Sequence, residues 1–287
     1  MKKLLILSGK GGTGKTTTAA AFIRFAGARA IADCDVDAPN LHLVTECKSQ
    51  PEISEFFGGD KAVIDTKKCI KCGKCAETCR FNAINKNDEK YTVNEFACEG
   101  CGVCEYICPQ GAVKLTADVA GRKELYTKDG VFSTATLKMG RGNSGKLVTD
   151  VKAAMTKNAP DIPLAIIDGS PGIGCPVIAS VSGVDLVLVV AEPSLSGIND
   201  LKRLVTTAET FGVKLAVCVN KWDISPENTK EIENFCDEAG IPFAGKVPYD
   251  KSASKAINSG LSIADVECRA RDALKEIFEN TIKLLEF

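Results

Sequence analysis

Gly9-Lys10-Gly11-Gly12-Thr13-Gly14-Lys15-Thr16 follows an apolar run at residues 2–8 and leads into residues 17–25, whose alanines and apolar spacing suit a helix. Strand, glycine loop and helix in that order give a G-x-x-x-x-G-K-[ST] match its confirming context. Glycines let backbone N–H groups turn inward round phosphate oxygens, and the helix start adds the positive end of its dipole. In that chemistry Lys15 neutralises β- and γ-phosphates and Thr16 ligates Mg2+, while Gly11, Gly12, Thr13, Gly14 and Thr17 complete a cradle for ATP or ADP.

Outward from the loop, residues 30–33 form a second short apolar run closing on acidic residues. Residues 163–168, 185–191 and 214–220 repeat the pattern, each rich in Ile, Val and Leu and followed by a polar turn and a helical stretch. This alternation predicts an α/β fold, a parallel sheet with helices on both faces. Residues 123–126 and 131–137, around Asp129-Gly130, predict a hairpin, and residues 140–145 a flexible connection.

Between the second strand and the later series the pattern breaks. Residues 61–118 hold eight of the fourteen cysteines and little helical periodicity, so they are expected to be a small inserted domain within a domain made of 1–60 and 119–287. Cys69, Cys72, Cys75 and Cys79 follow C-x2-C-x2-C-x3-C, and Cys98, Cys101, Cys104 and Cys108 repeat it with Pro109 behind. Three thiolates of one tight turn grip a cubane and the fourth serves the other cluster. The expected sets are crossed: Cys69, Cys72, Cys75 and Cys108 for one [4Fe–4S] cluster, Cys98, Cys101, Cys104 and Cys79 for the other. Zinc sites also use C-x2-C pairs, but two evenly matched runs favour iron. Arg80 stands where the second run has Pro109, adding positive charge without removing a ligand. Lys67, Lys68, Lys71 and Lys74 lie among the first four cysteines, either as a docking face for an acidic redox partner or as a solvated loop.

The chain has 287 residues, 45% hydrophobic and 25% charged, with a formal net charge of −1. That balance excludes extensive disorder and gives no global attraction to nucleic acid. The apolar runs are too short to span a bilayer, and a glycine loop rather than a signal segment follows the first strand, so a cytoplasmic location is expected. Fourteen cysteines in such a chain point to metal ligation rather than disulfides. Cys34, Cys47, Cys218, Cys236 and Cys268 read as small packing residues, and His42, the single histidine, has no catalytic pair. Residues 273–287 have apolar positions at helical spacing, but Glu276, Glu279 and Glu286 dilute the positive charge, which favours packing over membrane binding.

With Lys10 in second place, the loop resembles the deviant phosphate loop of the MinD, ParA, Mrp and nitrogenase-iron-protein families. The whole chain resembles the MinD-superfamily ATPases that carry an inserted ferredoxin domain. The resemblance implies an ATP-sandwich dimer, of two copies or of paralogues, in which Lys10 reaches the nucleotide of the opposite subunit. Asp33-Cys34-Asp35 is similar to the Asp-x-Asp element after the second strand, which implies that Asp35 orients the attacking water and Asp33 supports Mg2+. Asp168-Gly-Ser-Pro-Gly172 is similar to the segment whose aspartate holds Mg2+ through water and whose glycine senses the γ-phosphate. Asn220 and Pro248 resemble residues that contact the adenine base. Cys175 lies seven residues after Asp168, the offset of one ligand to the bridging cluster of the nitrogenase iron protein. The second ligand is missing near residues 138–142, so Cys175 is either a transient metal or cluster ligand or packing near the switch.

Three functions compete. One is ATP-driven closure of a dimer that delivers electrons from two clusters to an acceptor protein in metallocofactor formation. Another is an ATP-dependent carrier or scaffold for iron–sulfur or mixed-metal clusters. The third, a positioning ATPase with structural clusters, is disfavoured by the near-zero charge and the diluted terminal helix.

Overall fold

In the computed structural model, residues 1–45, 49–87 and 90–286 are described. Cys47 therefore lies outside the described residues. The elements in chain order are β1 Lys2–Leu7, α1 Lys15–Ala26, β2 Ala30–Asp33, β3 Glu52–Ile64, α2 Lys74–Thr78, β4 Ile84–Asn87, β5 Lys90–Val93, α3 Val103–Tyr106, β6 Val113–Tyr126, β7 Val131–Leu137, α4 Ser144–Asn158, β8 Leu164–Asp168, α5 Cys175–Val181, β9 Leu186–Ala191, α6 Leu195–Glu209, β10 Lys214–Asn220, α7 Pro226–Ala239, β11 Phe243–Val247, α8 Lys251–Asn258 and α9 Arg269–Glu286.

Two compact units result. The first comprises Met1–Ile53, Lys123–Thr136 and Ser144–Phe287. Its strands run in the order β11-β10-β9-β1-β8-β2-β7, and each neighbouring pair is parallel. Side chains alternate between the two faces of a strand. Leu4, Ile6, Ile166, Leu188, Val190 and Cys218 accordingly share one core with α1 and α9. Leu5, Leu7, Ile167, Val187 and Val189 are buried on the other face, the side of α4 and α5. Burial on both faces is why these strands read as continuous apolar runs. The helix α1 stops at Gly27, whose φ of 56° lets the N–H groups of Gly27 and Ala28 reach the carbonyls of Arg24 and Ile23. Leu274, Ile277 and Leu285 of α9 join the core, and Phe278 meets Phe22 edge-on at 5.1 Å.

This topology gathers the functional loops. Parallel register sets Asp33 beside Asp168 and Ile6 beside Asp168, so the carboxyl ends of β2, β8 and β1 finish level. Ligands of open α/β sheets bind at that end.

The second unit comprises Ser54–Arg122 and Leu137–Asn143, extending past residues 61–118 at both ends. The extension comes from β3 and β6, which are neighbours in a sheet and longer than their sequences suggest. A hairpin of β4 and β5 and the short helices α2 and α3 hold the cysteine loops. The stretch expected as a flexible connection is fastened in its first part: Arg141 lies 2.6 Å from Glu95 and 3.1 Å from Asp118, with its guanidinium over the Phe96 ring.

Candidate nucleotide site and cysteine sites

The glycine loop is built as its composition requires. Gly12 and Gly14 take φ values of 79° and 97°, conformations that L side chains rarely adopt. A Cβ on Gly14 would stand 2.2 Å from the Asn220 amide nitrogen, which donates to the Thr13 carbonyl at 2.7 Å. Asn220 thus ties the end of β10 to the loop. Gly14 precedes the first turn of α1, where the carbonyl of Gly14 accepts from both the N–H and the hydroxyl of Thr18.

Lys15 is buried, and its ammonium donates to Asp168 Oδ1 at 2.6 Å, with Thr16 Oγ1 at 3.4 Å. The second oxygen of Asp168 and the Thr13 hydroxyl are buried with no hydrogen-bond partner among the described residues. Orphaned buried acceptors of this kind need a donor or a cation. Asp168 and Thr16 could hold Mg2+ directly or through water, and the ion would neutralise phosphate charge there.

Asp33 accepts from the N–H groups of Asp35 at 3.0 Å, Asn40 at 3.1 Å and Leu41 at 3.0 Å, so it organises the loop that carries Asp35. Burial, and then the charge of Asp168, push its carboxyl up to about 7. Asp35 is half-buried, and burial raises its carboxyl above the usual range, opposed by Lys15. Between them, burial pushes the Cys34 thiol up to about 12, which makes it an inert packing group.

Lys10 is held within its own chain. Its ammonium is 3.0 Å from Glu192 and reaches the hydroxyls of Ser194 at 3.3 Å and Ser196 at 3.2 Å. Lys221 binds the other Glu192 oxygen at 3.3 Å and the Gly12 carbonyl at 3.3 Å. Glu192 follows β9 and Lys221 follows β10. Sequence reading missed both, and the only available signal was an acidic residue directly after a buried strand.

A cavity of about 680 Å³ opens over the loop. Lys10, Gly11, Gly12, Gly14, Lys15, Thr16, Thr17 and Asp35 form its polar side, while Leu43, Val44, Leu261 and Ile263 form an apolar end suited to a flat base. Asn220 and Pro248 do not line it. The N–H of Gly172, at φ 96°, donates to the Ser8 carbonyl, so the segment after β8 rests against the end of β1. The exposed Cys175 opens α5, and Pro176 beside it lines the cavity. Lys152 fastens the far end of α5: its buried ammonium donates to the carbonyls of Ala179, Ser180 and Ser182 at 2.8, 2.6 and 2.6 Å. Burial pushes that amine down to about 8.

In the second unit the cysteines assort into two cavities. Cys69, Cys72, Cys75 and Cys108 line one, and Cys79, Cys98, Cys101 and Cys104 line the other. None of the eight is in a disulfide. Backbone N–H groups point at three of the sulfurs: Ala62 at Cys98 (3.4 Å), Ala83 at Cys79 (3.4 Å) and Ala112 at Cys108 (3.2 Å). Among the described residues no three Cys, His, Asp or Glu side chains converge on a single-ion site.

A parallel α/β sheet whose first strand feeds a glycine cradle with a buried lysine defines a P-loop nucleotide-binding protein. The CobQ/CobB/MinD/ParA nucleotide binding domain matches residues 4–263, and the chain belongs to that family. Uncharacterized protein MJ0578 of Methanocaldococcus jannaschii is 32% identical over 99% of this chain and 97% of its own length. The iron-sulfur cluster carrier protein of the same organism is 22% identical over 59% of this chain and 66% of its length. Among solved structures, the septum site-determining protein MinD with Mg-ADP from Pyrococcus horikoshii has a TM-score of 0.58 at 15% identity, covering 99% of this chain and 96% of that one, a likeness of fold.

Proposed function

We propose that this chain binds and hydrolyses ATP and carries two [4Fe–4S] clusters in a ferredoxin-like second unit, coupling nucleotide-dependent dimerisation to electron delivery in metallocofactor formation. The carrying observation is the assortment of the eight thiols, each cavity being lined by three cysteines of one loop and the fourth of the other. That is the crossed pattern of two-cluster ferredoxins. Thiols spread round a cavity suit a cubane, whose ligands go to different irons, better than one zinc ion. The N–H groups aimed at Cys79, Cys98 and Cys108 supply the hydrogen bonds that stabilise thiolate sulfur and tune cluster potential.

On the nucleotide side, family membership and the Lys15, Thr16 and Asp168 arrangement support Mg-ATP binding. Asp35, which lines the same cavity and whose carboxyl burial raises above the usual range, would orient the water. The test is anaerobic reduction followed by electron paramagnetic resonance with and without MgATP. Coupling predicts spectra or midpoint potentials that move with nucleotide, and signals indifferent to MgATP would remove it. A second reading, an ATP-dependent cluster carrier, is favoured by the exposed Cys175 beside the cavity and by similarity to the iron-sulfur cluster carrier protein. It predicts loss of iron to an apo-acceptor protein on adding MgATP.

A further inference from the structure

The two cysteine loops are copies of one pattern, and their differences are informative. Aligned on the cysteines, Lys67, Lys71 and Lys74 of the first loop stand where the second has Phe96, Gly100 and Val103. The second loop lacks these charges, although its Phe96, Cys101 and Val103 are exposed as well. Arg141 lies over Phe96 and pairs with Glu95, and the Asp60 carbonyl sits where a Cβ on Gly100 would fall, at 2.2 Å.

The first loop differs from it in charge rather than in exposure. Lys67, Lys71 and Lys74 are exposed, and their ammonium groups have no hydrogen-bond or ion-pair partner among the described residues. Ile70, between Cys69 and Lys71, is 59% exposed, and the Cys72 thiol is exposed beside it. Ile70, Cys72 and Lys74 all line the cavity of Cys69, Cys75 and Cys108, so this rim is the outer wall of that site.

Lys71 also pays in backbone strain. Its φ is 60°, matching the 63° of Gly100, but it carries a side chain in a region that favours glycine. The turn itself belongs to both loops, and a lysine rather than a glycine at this position of the first adds a charge to it.

We infer that Lys67, Ile70, Lys71 and Lys74 form the docking surface for an acidic electron-transfer protein, bound over the site of Cys69, Cys72, Cys75 and Cys108. The inference rests on the cluster reading above and adds the partner's chemistry and its point of attachment. Three uncommitted ammonium groups on residues flanking an exposed isoleucine and an exposed cysteine call for carboxylates beside an apolar contact. Such surfaces steer encounter and bring two redox centres together without a large interface.

The test uses the reconstituted full chain and an acidic bacterial ferredoxin as probe, with basic cytochrome c as the opposite-charge control. Binding is measured by calorimetry at low and high salt, with iron content recorded for every sample. The wild type should bind the ferredoxin and not the cytochrome, and should weaken as salt screens the rim. Lys67→Glu/Lys71→Glu/Lys74→Glu should weaken binding by about 30-fold at low salt and flatten the salt dependence, with iron retained. Lys67→Gln/Lys74→Gln guards against misfolding of the reversed variant and should cost about 5-fold. Lys71→Gly should raise the thermal midpoint while weakening binding by about 3-fold, opposite signs that a purely structural lysine would not give. Wild-type affinity in an iron-loaded variant without these lysines, or no binding of the ferredoxin by iron-loaded wild type, overturns the docking surface. A wild-type chain that takes up no iron overturns the cluster reading itself, and the inference with it.

Discussion

Replacing Lys15 with alanine is expected to abolish ATP binding and to lower the stability of the nucleotide-free chain by about 3–5 kcal/mol. Lys15 is the sole cation in hydrogen-bond contact with Asp168 among the described residues, and both side chains are buried. Its loss leaves a carboxylate without a partner next to Asp33, already a repulsive neighbour. Chemical denaturation separates the two effects. Lys15→Ala/Asp168→Asn should recover most of the stability, because the uncompensated charge is gone, yet still fail to bind ATP in calorimetry. Iron content should be unchanged in both variants, since the eight cysteines belong to the other unit. Parallel loss of nucleotide and iron would show that the units do not work independently.

Lys10→Ala is expected to eliminate ATP-induced dimerisation while preserving nucleotide binding, as light scattering and calorimetry would record. In this structure the Lys10 ammonium is occupied by Glu192, Ser194 and Ser196. Reaching an opposite subunit requires giving up those contacts, and a state is favoured only by what binds it better. Glu192→Gln weakens the hold on Lys10 and should let the dimer form at lower ATP. A Lys10→Ala chain that still dimerises with ATP would remove the cross-subunit role of that lysine.

Much of the first unit was legible because β1, β2, β8, β9 and β10 are buried on both faces, which leaves unbroken apolar runs bounded by turns. By contrast, β3 is exposed along most of its length and is interrupted by Gly58-Gly59 and Asp60-Lys61, so its apolar residues do not form a clean strand pattern. The two C-x2-C-x2-C-x3-C runs suggest the crossed sets, and Cys108 lines the cavity of the first loop while Cys79 lines that of the second. Contacts made across the sheet were not legible. Glu192 meets Lys10, and Asn220 meets Thr13, only after parallel strands bring their ends level. Nor could the sequence reveal that Lys71 adopts a glycine-like φ, or that Lys152 fastens α5 through three carbonyls.

The most direct measurement is iron analysis with Mössbauer spectroscopy on anaerobically reconstituted wild type and on single Cys→Ser variants, each also titrated with ATP. The account predicts about eight irons per chain in two cubanes, with Cys108→Ser perturbing the same cluster as Cys72→Ser and Cys79→Ser the same one as Cys101→Ser, while ATP binding persists throughout. A colourless wild type, or a Cys108→Ser chain perturbed in the cluster of Cys101, would contradict it.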